Sequence, residues 1–143
     1  MTFVVFTFFM KDISNYKYSE ITHLVIGAAI DVHNTLGGGN FTELIFHRAL
    51  LKELVTVGLI FESEKQLPVY YKGEMIGAKR IDILVETKVL VELKAVSQFE
   101  KIHFNQVANY LKVFDLDVGL LINFGASSLQ VKRFVNNRSY HKK

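Results

Sequence analysis

The apolar positions Ile21, Leu24, Val25, Ala28, Ala29, Val32 and Leu36 recur at helical spacing between Ser19 and the run Gly37-Gly38-Gly39. That period, opened by a capping residue type and closed by glycine, predicts a first helix with Ser19 as its N-cap. A second helix is predicted from Asn40 or Thr42 to about Val57, burying Leu44, Ile45, Leu50, Leu51 and Leu54 and stopping at Gly58. The period then shortens. Leu59 to Leu67, Val69 to Tyr71, Met75 to Val85 and Val89 to Ala95 are β-rich runs separated by Pro68, Lys72-Gly73-Glu74 and Glu86-Thr87-Lys88, and they predict antiparallel strands. Phe99, Ile102, Gln106, Val107, Tyr110, Leu111 and Phe114 return to helical spacing; Val118 to Phe124 and Gln130 to Val135 are two further strands. A strand that follows a helical crossover can lie parallel to an earlier one, so the expected fold is α/β, a mixed sheet flanked by helices.

Residues 19–135 form the expected domain, with 1–18 as an extension and the basic polar segment 136–143 as a tail. The run MTFVVFTFFM at Met1 to Met10 is shorter than the ~20 residues that cross a bilayer and lacks a basic segment ahead of it. The expectation is therefore an extension upstream of a natural start at Met10, and a cytoplasmic protein.

Half of the 143 residues are hydrophobic (50%) and 13% are aromatic, with a single proline, which excludes a disordered chain. The absence of cysteine excludes disulfides, thiolate metal sites and a cysteine nucleophile, leaving carboxylate, imidazole and carbonyl groups for any metal. A formal charge of +3 is compatible with an anionic partner and does not require one.

The chemistry concentrates in one hairpin. If Glu86-Thr87-Lys88 is a three-residue loop, Val85 pairs with Val89, so Asp82 lies across from Glu92 and Arg80 across from Lys94. The period of two puts Ile81, Ile83 and Val85 on one face and Asp82 on the other. Like charges directly opposite are unfavourable, and two arrangements compensate. One is diagonal ion pairing, Asp82 with Lys94 and Glu92 with Arg80, on a solvated face. The other is a magnesium or manganese ion between the carboxylates, completed by a carbonyl such as that of Leu93, with Lys94 beside it to stabilise transition-state charge.

Asp82 followed by Glu92-Leu93-Lys94 on the next strand, after a helix carrying Glu43 and before one carrying Gln106, resembles the PD-(D/E)xK nuclease superfamily. More narrowly, Leu36-Gly37, Pro68-Val69, Tyr71-Lys72-Gly73, Ile76-Gly77, Val91-Glu92-Leu93-Lys94-Ala95, Asn109-Tyr110-Leu111 and Gly119 through Gly125 are similar to the GxxExxY family of small bacterial proteins, from about Ile21 to Val135. The resemblance implies a restriction-endonuclease-like fold, Glu43, Asp82 and Glu92 as metal-site acids, Lys94 as the catalytic lysine and Gln106 as an auxiliary residue. It also implies nucleic acid, DNA or RNA, as substrate. Asn40 and Phe46 stand where the family name has Gly and Tyr.

By position alone Glu43 reads as a helix N-terminal carboxylate, and Gln106 with Tyr110 as a polar helix edge. His33 and His47 read as ordinary core or surface residues, and His103 as a weak site candidate one turn before Gln106. Lys79 and Arg80 could contact phosphate or balance the acids, and Tyr71-Lys72-Gly73 reads as a turn. The rival to a nuclease is a non-catalytic domain of the same fold that binds nucleic acid or protein; a third alternative is a dimerising protein that pairs through exposed aromatics.

Overall fold

The computed structural model describes residues 17–136, so the N-terminal apolar run and all of the expected tail beyond Asn136 lie outside the described residues. Helix α1 (Ser19–Leu36) is followed by α2 (Glu43–Thr56), strands β1 (Phe61–Tyr71), β2 (Glu74–Val85) and β3 (Val89–Lys94), helix α3 (Lys101–Val113), and strands β4 (Val118–Asn123) and β5 (Gln130–Val135). The five strands form one sheet in the order β1-β2-β3-β4-β5. Neighbours are antiparallel except β3 and β4, which pair in parallel, with α3 supplying the crossover that parallel strands need. This is the expected α/β mixed sheet.

Alternation along the central strands divides the core into two layers. Ile83, Val85, Val91, Leu93, Leu120 and Ile122 face α1 and α2, where Val25, Ala29, Phe46 and Leu50 complete a buried cluster. Leu84, Leu90 and Leu121 point the other way, against Val107, Tyr110 and Leu111 of α3. Burial on both faces accounts for the apolar runs Val89–Val91 of β3 and Val118–Ile122 of β4.

The first helix begins at Ser19 itself, with Tyr18 in the cap position. In α2 the buried residues are Phe46, His47, Leu50 and Leu54, while Leu44 and Ile45 are exposed, which corrects the predicted burial. Tertiary partners choose this face: the Phe46 ring stacks on Phe124 with centroids 5.0 Å apart, and His47 Nε2 lies 3.0 Å from Ser63 Oγ. The predicted break at Pro68 is absent. Pro68 sits inside a continuous β1, which is an edge strand among the described residues, where a missing N–H on the side away from β2 costs no rung. Lys72 and Gly73, both at positive φ (50° and 81°), make the two-residue turn between β1 and β2.

The run of three glycines packs against the chain leaving β4. A Cβ on Gly38 would stand 1.9 Å from the Ala126 carbonyl oxygen, so only glycine fits that approach. Gly39 N–H donates to the Phe124 carbonyl, and His33 Nε2 lies 2.9 Å from the Ala126 oxygen. His33 is thereby a core residue that locks the end of α1 to the sheet.

Candidate active site

The β2–β3 hairpin has the register read from its loop: Val85 pairs with Val89, Leu84 with Leu90 and Ile83 with Val91. The ladder then stops one step short of Asp82 and Glu92. In place of a backbone rung, Asp82 N–H donates to Glu92 Oε1 at 3.0 Å, and Leu93 N–H donates to Asp82 Oδ2 at 2.8 Å. Each carboxylate accepts from a backbone N–H of the other strand at the point where the ladder stops. Arg80 and Lys94 are accordingly not ladder partners, and neither of the diagonal ion pairs forms among the described residues.

The other side of β2 is interrupted at the same point. β1 pairs Ser63 with Ile83 and Lys65 with Ile81, but Glu64 between them has φ +55° and makes no rung with Asp82. The irregularity also breaks alternation. Ile81 joins the cluster under α3 while Ile83 faces α1 and α2, correcting the expectation that both share a face. Asp82 therefore sits where β2 is free of regular pairing on both sides, in the kind of local departure that re-aims a side chain.

Four charged groups meet here. Glu92 is 6% exposed, and its burial, followed by the charge of Asp82, pushes its carboxyl up to about 8, with Lys94 opposing. Glu43, in the first turn of α2, is exposed as a residue, yet partial desolvation and then Asp82 hold its carboxyl above the usual range, again opposed by Lys94. Glu43, Asp82, Glu92 and Lys94 thus share one electrostatic locus, although they come from three elements. Thr42 caps α2 without a side-chain hydrogen bond, so Glu43 is placed by the helix start that follows the glycine turn.

Lys94 is half-buried at the last rung of the parallel ladder, opposite Asn123. Its carbonyl accepts from Phe124 N–H at 2.8 Å. Fully buried Asn123 holds the adjoining backbone from both directions: Val96 N–H donates to its Oδ1, and its Nδ2 donates to the Val96 carbonyl, both at 2.9 Å. Sequence pattern alone assigns Asn123 no role; its signal is a lone amide ending an otherwise apolar strand.

The remaining candidates divide. Gln106 Nε2 donates to Tyr110 Oη at 3.0 Å, one turn on along α3. His103 belongs to a capping box: Glu100 N–H donates to its Nδ1 at 2.9 Å, which explains its position without recourse to chemistry. Lys79 and Arg80 are exposed on β2, just before Asp82.

Among the described residues no three His, Cys, Asp or Glu side chains converge closely enough to hold a metal by themselves. The donor chemistry is nevertheless that of a hard cation: two close carboxylates, one of them driven toward protonation first by its burial and then by the other. Magnesium commonly uses one or two carboxylates and keeps several waters, so the residues present fit such an ion.

The mixed sheet, the acid pair where its hairpin opens and the lysine two residues beyond define a nuclease-like α/β domain. A family model described as the PD-(D/E)XK nuclease superfamily matches residues 19–134, and the chain belongs to that superfamily, with a restriction-endonuclease-like fold. No curated protein matches the sequence. Among solved structures, the crystal structure of SSO0001 is similar over 82% of this chain and 59% of its own, with 19% identity and a TM-score of 0.49. The chain thus spans less than two thirds of that protein's length. No helix of the described residues is long and apolar enough to cross a membrane.

Proposed function

We propose that this protein is a magnesium- or manganese-dependent nuclease of the GxxExxY group, hydrolysing phosphodiester bonds of nucleic acid. The observation that carries the reading is the buried Glu92 carboxyl set against Asp82, beside Lys94, in a domain of a superfamily whose nucleases generally use divalent metals. Isolated repulsive acids are costly to keep, and a ligand that binds both is the simplest reason to do so.

Asp82 and Glu92, with the Leu93 carbonyl and Glu43 from the side, are the proposed metal ligands. The bound ion would supply an activated water and neutralise charge on the phosphoryl group. Lys94 has no lone pair while protonated and is not a ligand; its ammonium stabilises the negative charge that develops on the phosphoryl oxygens. Gln106 is an auxiliary residue in this scheme, on the helix covering the same sheet layer as Leu90.

The test is a cleavage assay on single- and double-stranded DNA and RNA with magnesium or manganese, alongside Asp82→Ala. Metal-dependent cleavage lost in the variant is the expected result. Equal cleavage by parent and variant would reject the site, and binding without cleavage of any substrate would favour the non-catalytic domain.

A further inference from the structure

Strands β1 and β2 run well past the rest of the sheet. From Glu74 to Arg80 every residue of β2 is exposed, and Gln66, Pro68, Tyr70 and Tyr71 of β1 are exposed beside them. Six residues from Gln66 to Tyr71, at ~3.3 Å each, give an arm on the order of 20 Å long. The arm begins two residues before Asp82, so whatever it holds is led to the acid pair.

Its side chains are unusual for a solvated ribbon. Tyr70, Tyr71, Met75 and Ile76 at the tip are about 60% exposed (62, 60, 59 and 63%). Lys72, Lys79 and Arg80 outnumber Glu74, and none of the three cations forms an ion pair among the described residues. The Lys72 ammonium lies 5.4 Å from the Tyr71 ring centroid, a contact that leaves its charge available. A two-fold contact between copies of this arm would set these cations against themselves, because an isologous interface pairs a patch with itself. An anionic partner is complementary instead.

We infer that the β1–β2 arm is the substrate-binding element and takes the major groove of a B-form DNA duplex, with Lys72, Lys79 and Arg80 on the phosphates and the apolar tip against the groove floor. The inference rests on the nuclease reading of the site at its base. A two-stranded ribbon with side chains on both faces is ~10 Å thick, which suits the ~12 Å major groove. The deep, narrow major groove of A-form RNA does not admit it. Apolar side chains beside the turn would meet thymine methyl groups there, and the cations, Lys72 in the turn with Lys79 and Arg80 nearer the base, would displace counterions from the backbone.

The test measures binding of the full chain to a fluorescent mixed-sequence DNA duplex, and to the matching RNA duplex, in EDTA across a salt series. The double variant Lys72→Gln/Lys79→Gln should weaken DNA binding about tenfold or more at low salt and flatten the salt slope by about 2, one unit for each lost phosphate contact. Tyr71→Ala should weaken binding with little change of slope. Unchanged DNA affinity in these variants, no binding by the parent, or RNA bound as well as DNA would each overturn the inference. So would a parent dimer that Met75→Glu converts to monomer while DNA affinity stays the same. Duplex cleavage at the parental rate by the arm variants would sink the arm and leave the nuclease reading intact; arm-dependent binding with no cleavage by the parent would do the reverse.

Discussion

Asp82 and Glu92 face each other across an opened hairpin, and each is fixed through backbone: Glu92 accepts from the Asp82 amide, while Asp82 accepts from the Leu93 amide one residue beyond Glu92. The two acids are thus held together by the strands' own donors, and cannot separate to relieve their repulsion without breaking those bonds. Their protonation and the stability of the fold are therefore linked.

The sign of that linkage follows from the raised carboxyl of Glu92. The folded state holds this proton more firmly than the unfolded chain, where the carboxyl titrates near its ordinary 4.5. The stabilisation is full below about pH 4.5 and is lost as pH rises toward about 8. Thermal melts of the metal-free protein should show this component falling across that window, and Glu92→Gln should remove it. Parallel pH profiles for parent and variant would refute the assignment.

A divalent cation should do above neutrality what the proton does below it. Millimolar magnesium or manganese is expected to raise the melting temperature, more so at pH 8 than at pH 6, because proton and metal compete for the same oxygens. Asp82→Asn should abolish the gain while leaving the metal-free fold at least as stable. No shift in the parent at either pH would count against the metal site.

Lys94→Met tests chemistry separately from metal binding. The variant should fold and keep most of its metal-induced stabilisation, while cleavage falls ~10²-fold or more, the scale for losing one preorganised electrostatic donor. Cleavage at the parental rate would remove Lys94 from the mechanism.

Asn123→Ala should destabilise the domain by about 2 kcal/mol or more, since the Val96 N–H and carbonyl both lose their partner. Denaturant unfolding measures this directly. A change below ~0.5 kcal/mol would mean that water replaces the amide without loss.

Phe46→Ala removes a fully buried ring that stacks on Phe124, and should cost ~3–5 kcal/mol in the same assay. A loss under ~1 kcal/mol would show that this contact does not anchor α2, and with it Glu43, to the sheet.

The hairpin register was legible because loop length and side-chain period together leave one solution, and Val85 opposite Val89 follows from three loop residues. The acid pair could be read for the same reason, and the mixed sheet from the order of its elements. What the sequence withheld were choices made by distant contacts. Leu44-Ile45-Phe46 offers α2 two apolar faces, and the Phe124 ring selects one. The side-chain bonds of Asp82 and Glu92, with Glu64 in the left-handed region, end the alternation that would have put Ile81 beside Ile83. His103 sits at a sequence position suited to a site, yet its capping bond with Glu100 accounts for it, a local contact that sequence spacing does not reveal.

The border of β1 that pairs with no other strand among the described residues bears on how such a protein survives at high concentration. A strand of eleven residues ending in exposed apolar side chains is the kind of template onto which foreign chains add, one hydrogen-bonded row at a time. Here the row is never long. Glu64 turns out of the β region, the chain's single proline contributes no amide at position 68, and the register slips between Val69 and Tyr70. No more than a few consecutive residues present a regular edge, so growth of an intermolecular sheet along this border is checked near its start, and the sticky tip can remain uncovered without seeding fibrils.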